Sequence, residues 1–428
     1  MNFVVICLHS LDMRDFHSQL CDTPFLKELR DRTIFIPFGR GHGHHQGDSL
    51  NAEMTGVWTA RHCDSRLTPE GFQPAEHFRF PKTVIEHLQE NGYDIFSGIR
   101  QDLPNDLGTF AVTGLERFWL KNEPERLKQF QLPGPMNLTN LLTEARKSRK
   151  FYLHLFLRET HRPWTENAAL CDLARPRRWK PLHRLIHRTK GGWPLDASWA
   201  RRLALEEPDA FARLRRAGLA RADSRIREIF AATRDLEDVT YVIYSNHGEV
   251  FDHFRYHLPH RTAMIDGLEM VEGTSHGNFP YEVLYANMQM WLIPGKSART
   301  MEGLGRSIDF APTILDLAGL EPEGMDGTSM LPDFAVGHFQ DRVRYAENSI
   351  GGGCISMVRE DGFKFIATGG LASKADNPYA LRGFPEHRMA VFDLNADGGE
   401  YVNLFETPRG REVFAWAVNQ HASLKKNG

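Results

Sequence analysis

The residues of this chain best suited to chemistry are its histidines, which number 20 among 428 residues. A neutral imidazole binds borderline metal ions, and it gains or loses a proton near neutral pH. His42, His44 and His45 lie in one glycine-rich loop, FGRGHGHHQGD at 38–48. A single histidine is often only a packing or surface residue. Whether these three can act together depends on the secondary-structure elements that position their loop.

Three apolar runs rich in β-forming residues, at 2–8, 151–157 and 240–244, are predicted to be buried strands. Helical patterns separate them, and this alternation predicts an α/β fold with a doubly wound, mostly parallel sheet. In such sheets, ligands bind beyond the carboxyl ends of the strands. The polar residues that follow the three runs are His9, Glu159, Thr160, His161, Asn246 and His247.

The composition excludes several classes of protein. With 52 Lys and Arg against 55 Asp and Glu, the net charge is −3, which excludes a strongly basic nucleic-acid binder. No apolar run reaches the roughly 18 residues of a membrane span. The 5 cysteines are scattered and lack C-x-x-C spacing. This pattern is typical of free thiols in a reducing compartment, so we expect a cytoplasmic protein.

The chain is predicted to divide in two, with a large α/β domain at 1–335 and a small C-terminal α+β subdomain at 336–428. The second part alternates short strands with Gly, Asp and Asn turns and ends in a helix. A basic insertion rich in Pro and Trp occupies about 165–200. It is either a solvated surface segment or a lid that attracts an anionic substrate.

Ten segments, collinear over nearly the whole chain, resemble the sulfatase branch of the alkaline phosphatase superfamily. For example, YSNHGE at 244–249 is similar to the "TSDHGe" motif of that family. The resemblance implies hydrolysis or transfer of sulfate and phosphate esters, with a bound metal that neutralises developing charge. The segments lie at 4–11, 23–29, 54–56, 80–93, 159–164, 244–249, 275–282, 309–319, 326–331 and 392–404.

The site residues depart from the family pattern. The formylglycine nucleophile of sulfatases is made from Cys or Ser, but Gln46 stands at that position. An amide cannot become formylglycine and is not a useful nucleophile. The motif arginine is Leu50, and the nearest hydroxyl, Ser49, is an alternative whose structural role would be to cap or pack the helix. His9 and Asn246 stand where the family has metal-binding Asp residues.

By this resemblance, His9, Asn246 and His247 are the predicted metal ligands. Their neutral donors suit Zn²⁺, Fe²⁺ or Mn²⁺ better than Ca²⁺, which prefers anionic oxygens. The three loop histidines, His42, His44 and His45, are possible additional ligands or a base.

Three functions remain open. The first is a metal-dependent hydrolase or transferase that acts on a small anionic sulfate- or phosphate-type ester through metal-bound water. Its candidate catalytic residues are Gln46, at the nucleophile position, and His161 and His276, which contact the anion or transfer protons. The second is a non-catalytic binding protein that kept the fold, and the third is a His-ligated iron enzyme with non-hydrolytic chemistry. The expected partner is a small anionic substrate, and neither nucleic acid nor a membrane is expected.

Overall fold

The computed structural model describes most of the chain in the following ranges: 1–43, 46–61, 63–73, 81–100, 109–111, 136–157, 159–160, 208–249, 262–265, 268–271, 280–340, 342, 344–348, 354–368 and 389–426. The strands are β1 Asn2–Leu8, β2 Ile34–Arg40, β3 Arg66–Thr68, β4 Gly71–Gln73, β5 Asp94–Arg100, β6 Thr109–Ala111, β7 Met136–Asn137, β8 Phe151–Leu157, β9 Val239–Ser245, β10 Thr262–Ile265, β11 Leu268–Val271, β12 Ala286–Leu292, β13 Arg299–Thr300, β14 Gly305–Arg306, β15 Arg344–Asn348, β16 Cys354–Val358, β17 Phe363–Thr368 and β18 Met389–Asp393.

The helices are α1 Met13–His17, α2 Pro24–Arg30, α3 Gln46–Thr55, α4 Val84–Glu90, α5 Leu138–Lys147, α6 Pro208–Thr233, α7 Glu282–Tyr285, α8 Phe310–Leu317, α9 Leu331–Val336 and α10 Pro408–Lys426. Short 3-10 turns lie at Thr59–Arg61 and Ser307–Asp309. No helix within the described ranges is long and apolar enough to cross a membrane.

The main sheet has ten strands and is parallel at its centre. Its order is β13-β2-β12-β9-β1-β8-β5-β6-β7, with β14 also paired to β2. β1 lies between β8 and β9 and is parallel to both. β12 is antiparallel to its neighbours β2 and β9. The predicted doubly wound, mostly parallel sheet is therefore confirmed.

Both faces of the sheet are covered, as β1 illustrates. Phe3, Val5 and Cys7 belong to one apolar cluster, together with residues of α3, α4 and α8. The alternate residues of β1 belong to a second cluster, with residues of α2, α5 and α6. Successive strand side chains point to opposite faces, so a continuous apolar run is what a strand buried on both sides requires.

The C-terminal part forms a separate antiparallel sheet in the order β15-β16-β17-β18. This C-terminal sheet and α10 share an apolar cluster with Trp58, Leu67 and Ile308 from the first part of the chain. The small α+β appendage is confirmed, while the boundary at 335/336 stays a prediction. The basic insertion at about 165–200 and the flanking His161 lie outside the described residues.

Candidate functional site

Two histidines meet where the neighbouring strands β1 and β9 end. Leu8 of β1 is in register with Ser245 of β9, so the residues that follow the two strands are adjacent. The rings of His9 and His247 lie edge to face, with centroids 5.4 Å apart and an interplanar angle of 88°. His9 is 4% exposed and His247 is fully buried. The structure thus joins two of the three predicted metal ligands at the expected edge.

Asn246, the third predicted ligand, holds the two turns together. Its Oδ1 accepts hydrogen bonds from the backbone N–H of Ser10 at 3.1 Å and from that of His247 at 3.0 Å. Both partners are donors, so the oxygen must face them, and two hydrogen bonds occupy its two lone pairs. Leu11 N–H adds a hydrogen bond to the His247 carbonyl at 3.1 Å. In this arrangement Asn246 fastens the turn after β1 to the turn after β9.

Ser10 and Glu249 form a second link between the same turns. Ser10 adopts a left-handed backbone conformation, with φ of 61°, and its hydroxyl donates to Glu249 Oε2. Both side chains are buried. Hydrogen bonds to an ionised carboxylate are among the stronger ones in proteins. Glu249 is the last residue of the motif at 244–249, and its type and position alone predicted no role for it.

The neighbouring strand β8 supports His9 from the other side. The backbone N–H of His9 donates to the Leu157 carbonyl at 3.0 Å, and the Thr160 hydroxyl donates to the His9 carbonyl at 2.7 Å. Glu159 lies 3.7 Å from the guanidinium of Arg225 on α6. The His9 backbone is therefore fixed between the ends of two strands.

The loop Gly41–Gly43 leads from β2 towards α3 and lies against Asn246. Gly41 N–H donates to the Tyr285 carbonyl at 2.7 Å. A Cβ on Gly41 would lie 2.9 Å from the Asn246 carbonyl oxygen, so this close approach requires glycine. The Ser49 hydroxyl, fully buried on α3, donates to the Gly43 carbonyl at 2.8 Å. Ser49 is thereby engaged in holding the loop to the helix.

His42, in the middle of this loop, is buried beside the C-terminal sheet. Its Nδ1 lies 2.6 Å from the Tyr345 carbonyl oxygen of β15. Burial lowers the pKa of His42 to about 3, which the Tyr345 carbonyl only partly offsets, and the nearby Arg40 and Arg306 lower it further. The imidazole is therefore neutral at ordinary pH.

The other predicted site residues are only partly described. Gln46 is the first residue of α3. His44, His45, His161 and His276 lie outside the described residues. The structure thus brings His9, Asn246 and His247 together and places His42 and Ser49 in the adjoining loop and helix.

The family resemblance implies a bound metal ion, and the described side chains of this region supply only part of a ligand set. Across the described ranges, no group of three or more His, Cys, Asp or Glu side chains could hold a metal ion. His9 and His247 supply two imidazoles, and the Asn246 oxygen already accepts two hydrogen bonds. These residues alone do not make up a metal site, because zinc, for example, takes at least three protein ligands.

Comparison with known proteins gives a family match. A family model described as Sulfatase matches residues 1–320. A search of curated proteins found no match.

Many solved structures share the fold. A complex of the protein BT4656 with its substrate D-glucosamine-2-N,6-O-disulfate superimposes with a TM-score of 0.60 at 14% identity, covering 100% of this chain and 98% of that one. A phosphonate monoester hydrolase of Agrobacterium radiobacter gives 0.57 at 14% identity, covering 99% and 95%. A putative sulfatase from Bacteroides thetaiotaomicron gives 0.58 at 15% identity, covering 100% and 93%. At these identities the likeness concerns the fold.

Proposed function

Since the chain belongs to the sulfatase family, we propose that it hydrolyses or transfers a small anionic ester of the sulfate or phosphate type. The observation that carries this proposal is the buried pair of imidazoles, His9 and His247, at the carboxyl ends of two adjacent parallel strands. Ligands of open α/β sheets bind at this edge. The sulfated substrate of one related structure and the phosphonate esters of another support this substrate class.

The attacking group in this proposal is water in hydrolysis and the hydroxyl of an acceptor molecule in transfer, and no side chain of the protein takes up the group. Gln46 begins α3 and offers neither a thiol nor a hydroxyl. The nearest hydroxyl, that of Ser49, donates to the Gly43 carbonyl inside the protein. A neutral imidazole can take a proton from water near neutral pH. By the family resemblance, we assign proton transfer and contact with the anion to His161 and His276.

The divalent metal is a separate proposal. His9 and His247 would be two of its ligands, and His44 and His45 of the glycine-rich loop are the possible additional ones. Nitrogen donors favour Zn²⁺, Fe²⁺ or Mn²⁺ over Ca²⁺. Asn246 would contribute only if its oxygen left the two backbone amides that it accepts from. We therefore propose that Asn246 fastens the two turns.

One observation favours a second candidate, a non-catalytic protein that binds an anionic ligand on the same fold. Several polar groups at this edge bind each other, as the links from Asn246 to Ser10 and from Ser10 to Glu249 show. Such internal hydrogen bonds can fill a site that has lost its chemistry.

Turnover separates the two candidates. Purified protein is incubated with a panel of sulfate monoesters, phosphate monoesters and phosphonate monoesters, with no added metal or with Zn²⁺, Fe²⁺, Mn²⁺ or Ca²⁺. Hydrolysis is followed by ion chromatography of the released anion or phosphonate, and transfer by mass spectrometry of the ester products. Elemental analysis of the same preparation tests the metal proposal, and a protein that neither contains nor takes up metal would overturn it.

The matched variants are His247→Ala and His154→Ala. His154 is also a fully buried histidine, but it lies in the middle of β8. We expect His247→Ala to lose turnover, because it removes one imidazole of the buried pair at the sheet edge, and His154→Ala to lose far less once folding is verified. Ester binding without turnover in any condition would favour the non-catalytic candidate.

A further inference from the structure

The C-terminal sheet contacts the loop Gly41–Gly43 through His42. The His42 side chain is 2% exposed, and its Nδ1 lies 2.6 Å from the Tyr345 carbonyl oxygen. A carbonyl oxygen only accepts hydrogen bonds, so Nδ1 must carry the ring proton and donate. The tautomer of His42 is therefore fixed by β15.

Two aromatic contacts fix the orientation of the same ring. The His42 ring meets the Trp58 ring edge to face, with centroids 4.9 Å apart. Trp58 in turn lies edge to face with Tyr345 at 5.5 Å. These packed contacts leave the imidazole one orientation, in which its N–H points to the C-terminal sheet.

Arg40, just before the loop, makes an independent link to the same sheet. Its buried guanidinium donates to the Ser356 hydroxyl of β16 at 3.0 Å and to Glu282 at 2.9 Å. Lys364 of β17 also pairs with Glu282, at 2.9 Å. The chain is thus held to the C-terminal sheet on both sides of Gly41.

The opposite side of the loop lies on the candidate site. Gly41 is in close contact with the Asn246 carbonyl, and Gly43 accepts the Ser49 hydroxyl of α3. A displacement of the loop would therefore move both the turn after β9 and the first turn of α3.

We propose that His42 is a positioning residue that holds the loop Gly41–Gly43 against Asn246 by donating a hydrogen bond from Nδ1 to the Tyr345 carbonyl. The C-terminal sheet is then a working part of the site, and His42 acts neither as a metal ligand nor as a base. Only the turnover measurement below rests on the proposed function.

The test compares His42→Asn with His42→Gln. The amide nitrogen of Asn can occupy the position of Nδ1 and donate to Tyr345, whereas the longer Gln places its amide near Nε2. Hydrogen–deuterium exchange of peptides covering 39–52 is measured by mass spectrometry. We expect His42→Asn to exchange within about twofold of wild type and His42→Gln about tenfold faster, as the loss of one buried hydrogen bond implies. Equal exchange in the two variants would overturn the proposal.

His421→Asn is the matched control. His421, on α10, is another buried histidine and is 2% exposed. Its ring lies 6.2 Å from that of Tyr345 on β15. It does not bind the loop, so exchange at 39–52 should stay at the wild-type rate even if the variant is less stable overall. Faster exchange at 39–52 in this control, matching that of His42→Gln, would show a general loss of stability and overturn the proposal.

Turnover supplies a second readout, provided that the wild type turns over an ester. We expect His42→Asn to retain at least about half of wild-type kcat and His42→Gln to lose about tenfold, in step with exchange. A variant His42→Asn with wild-type exchange but no turnover would show that Nε2 does chemistry, and would overturn the positioning role. If the wild type turns over no ester, the proposed function fails, and exchange alone decides this inference.

Discussion

Glu53 is a buried acid on α3, and it gives the fold a distinct dependence on pH. The side chain is fully buried, and its neighbours are Cys7 of β1, Tyr152 of β8 and Tyr244 of β9. Burial raises the pKa of Glu53 well above its ordinary value, and the nearby Tyr244 hydroxyl only partly offsets this. No salt bridge to Glu53 is found in the part of the chain that the structure describes. The carboxyl group therefore keeps its proton to a higher pH in the folded protein than in the unfolded chain.

The sign of the effect follows from proton linkage. A raised pKa in the folded state means that the folded protein holds a proton that the unfolded chain releases. The contribution of Glu53 to stability is full below the ordinary Glu pKa and is lost as the pH rises towards the folded-state value. The loss is about 1.4 kcal/mol per pH unit, or about 2.7 kcal/mol between pH 5 and pH 7 while Glu53 keeps its proton.

The variant Glu53→Gln removes this proton while keeping the shape of the side chain. We expect its free energy of unfolding to exceed that of wild type by an amount that grows by about 1.4 kcal/mol per pH unit from pH 5 to pH 7. Urea denaturation at half-unit intervals of pH measures the difference. Glu237→Gln, at an exposed position, is the control and should not change the slope. Parallel pH profiles of wild type and Glu53→Gln would refute the reasoning.

Three further predictions concern the packing around the site. Gly41→Ala should lower stability by about 1–3 kcal/mol, because its Cβ would lie 2.9 Å from the Asn246 carbonyl oxygen. A thermal shift equal to that of Gly398→Ala, whose Cβ would meet only the Leu394 carbonyl oxygen at 3.7 Å, would contradict the steric argument. Ser10→Ala removes the hydroxyl that donates to Glu249 and should cost about 1.5–3 kcal/mol in urea denaturation, and a cost under about 0.5 kcal/mol would rule this link out as stabilising. Lys364→Met removes the cation 2.7 Å from the Glu400 carboxylate and should lower the free energy of unfolding by about 3–5 kcal/mol at pH 7. The loss should be smaller at pH 5, where the carboxylate can take a proton. An equal loss at pH 5 and pH 7 would contradict this prediction.

The sequence predicted the central sheet because its signal is local. β1 has apolar residues on both faces, and only a strand covered on both sides needs such a run. The register of β1 with β9 then places His9 beside His247 without further information. Fold and edge were predictable for this reason.

The roles of individual polar groups were not predictable, because they depend on partners far away in the chain. Asn246 was interpreted as a metal ligand, and only the geometry places its oxygen on the amide of Ser10, 236 positions away. His42 pairs with Tyr345, 303 positions away. β15, which carries Tyr345, was not predicted as a strand. The burial of Glu53 was not predictable either, because a charged residue in a helical pattern normally faces solvent.

The central claim is that the anionic group of the substrate binds at the edge of the sheet that carries His9 and His247. Its most direct test is a crystal structure of the protein soaked with tungstate, a heavy analogue of sulfate whose anomalous signal locates the anion. The account predicts a peak at the edge of the sheet that carries His9 and His247, and loss of that peak in His247→Ala. A peak confined to another surface, or none at this edge of the sheet, would contradict it.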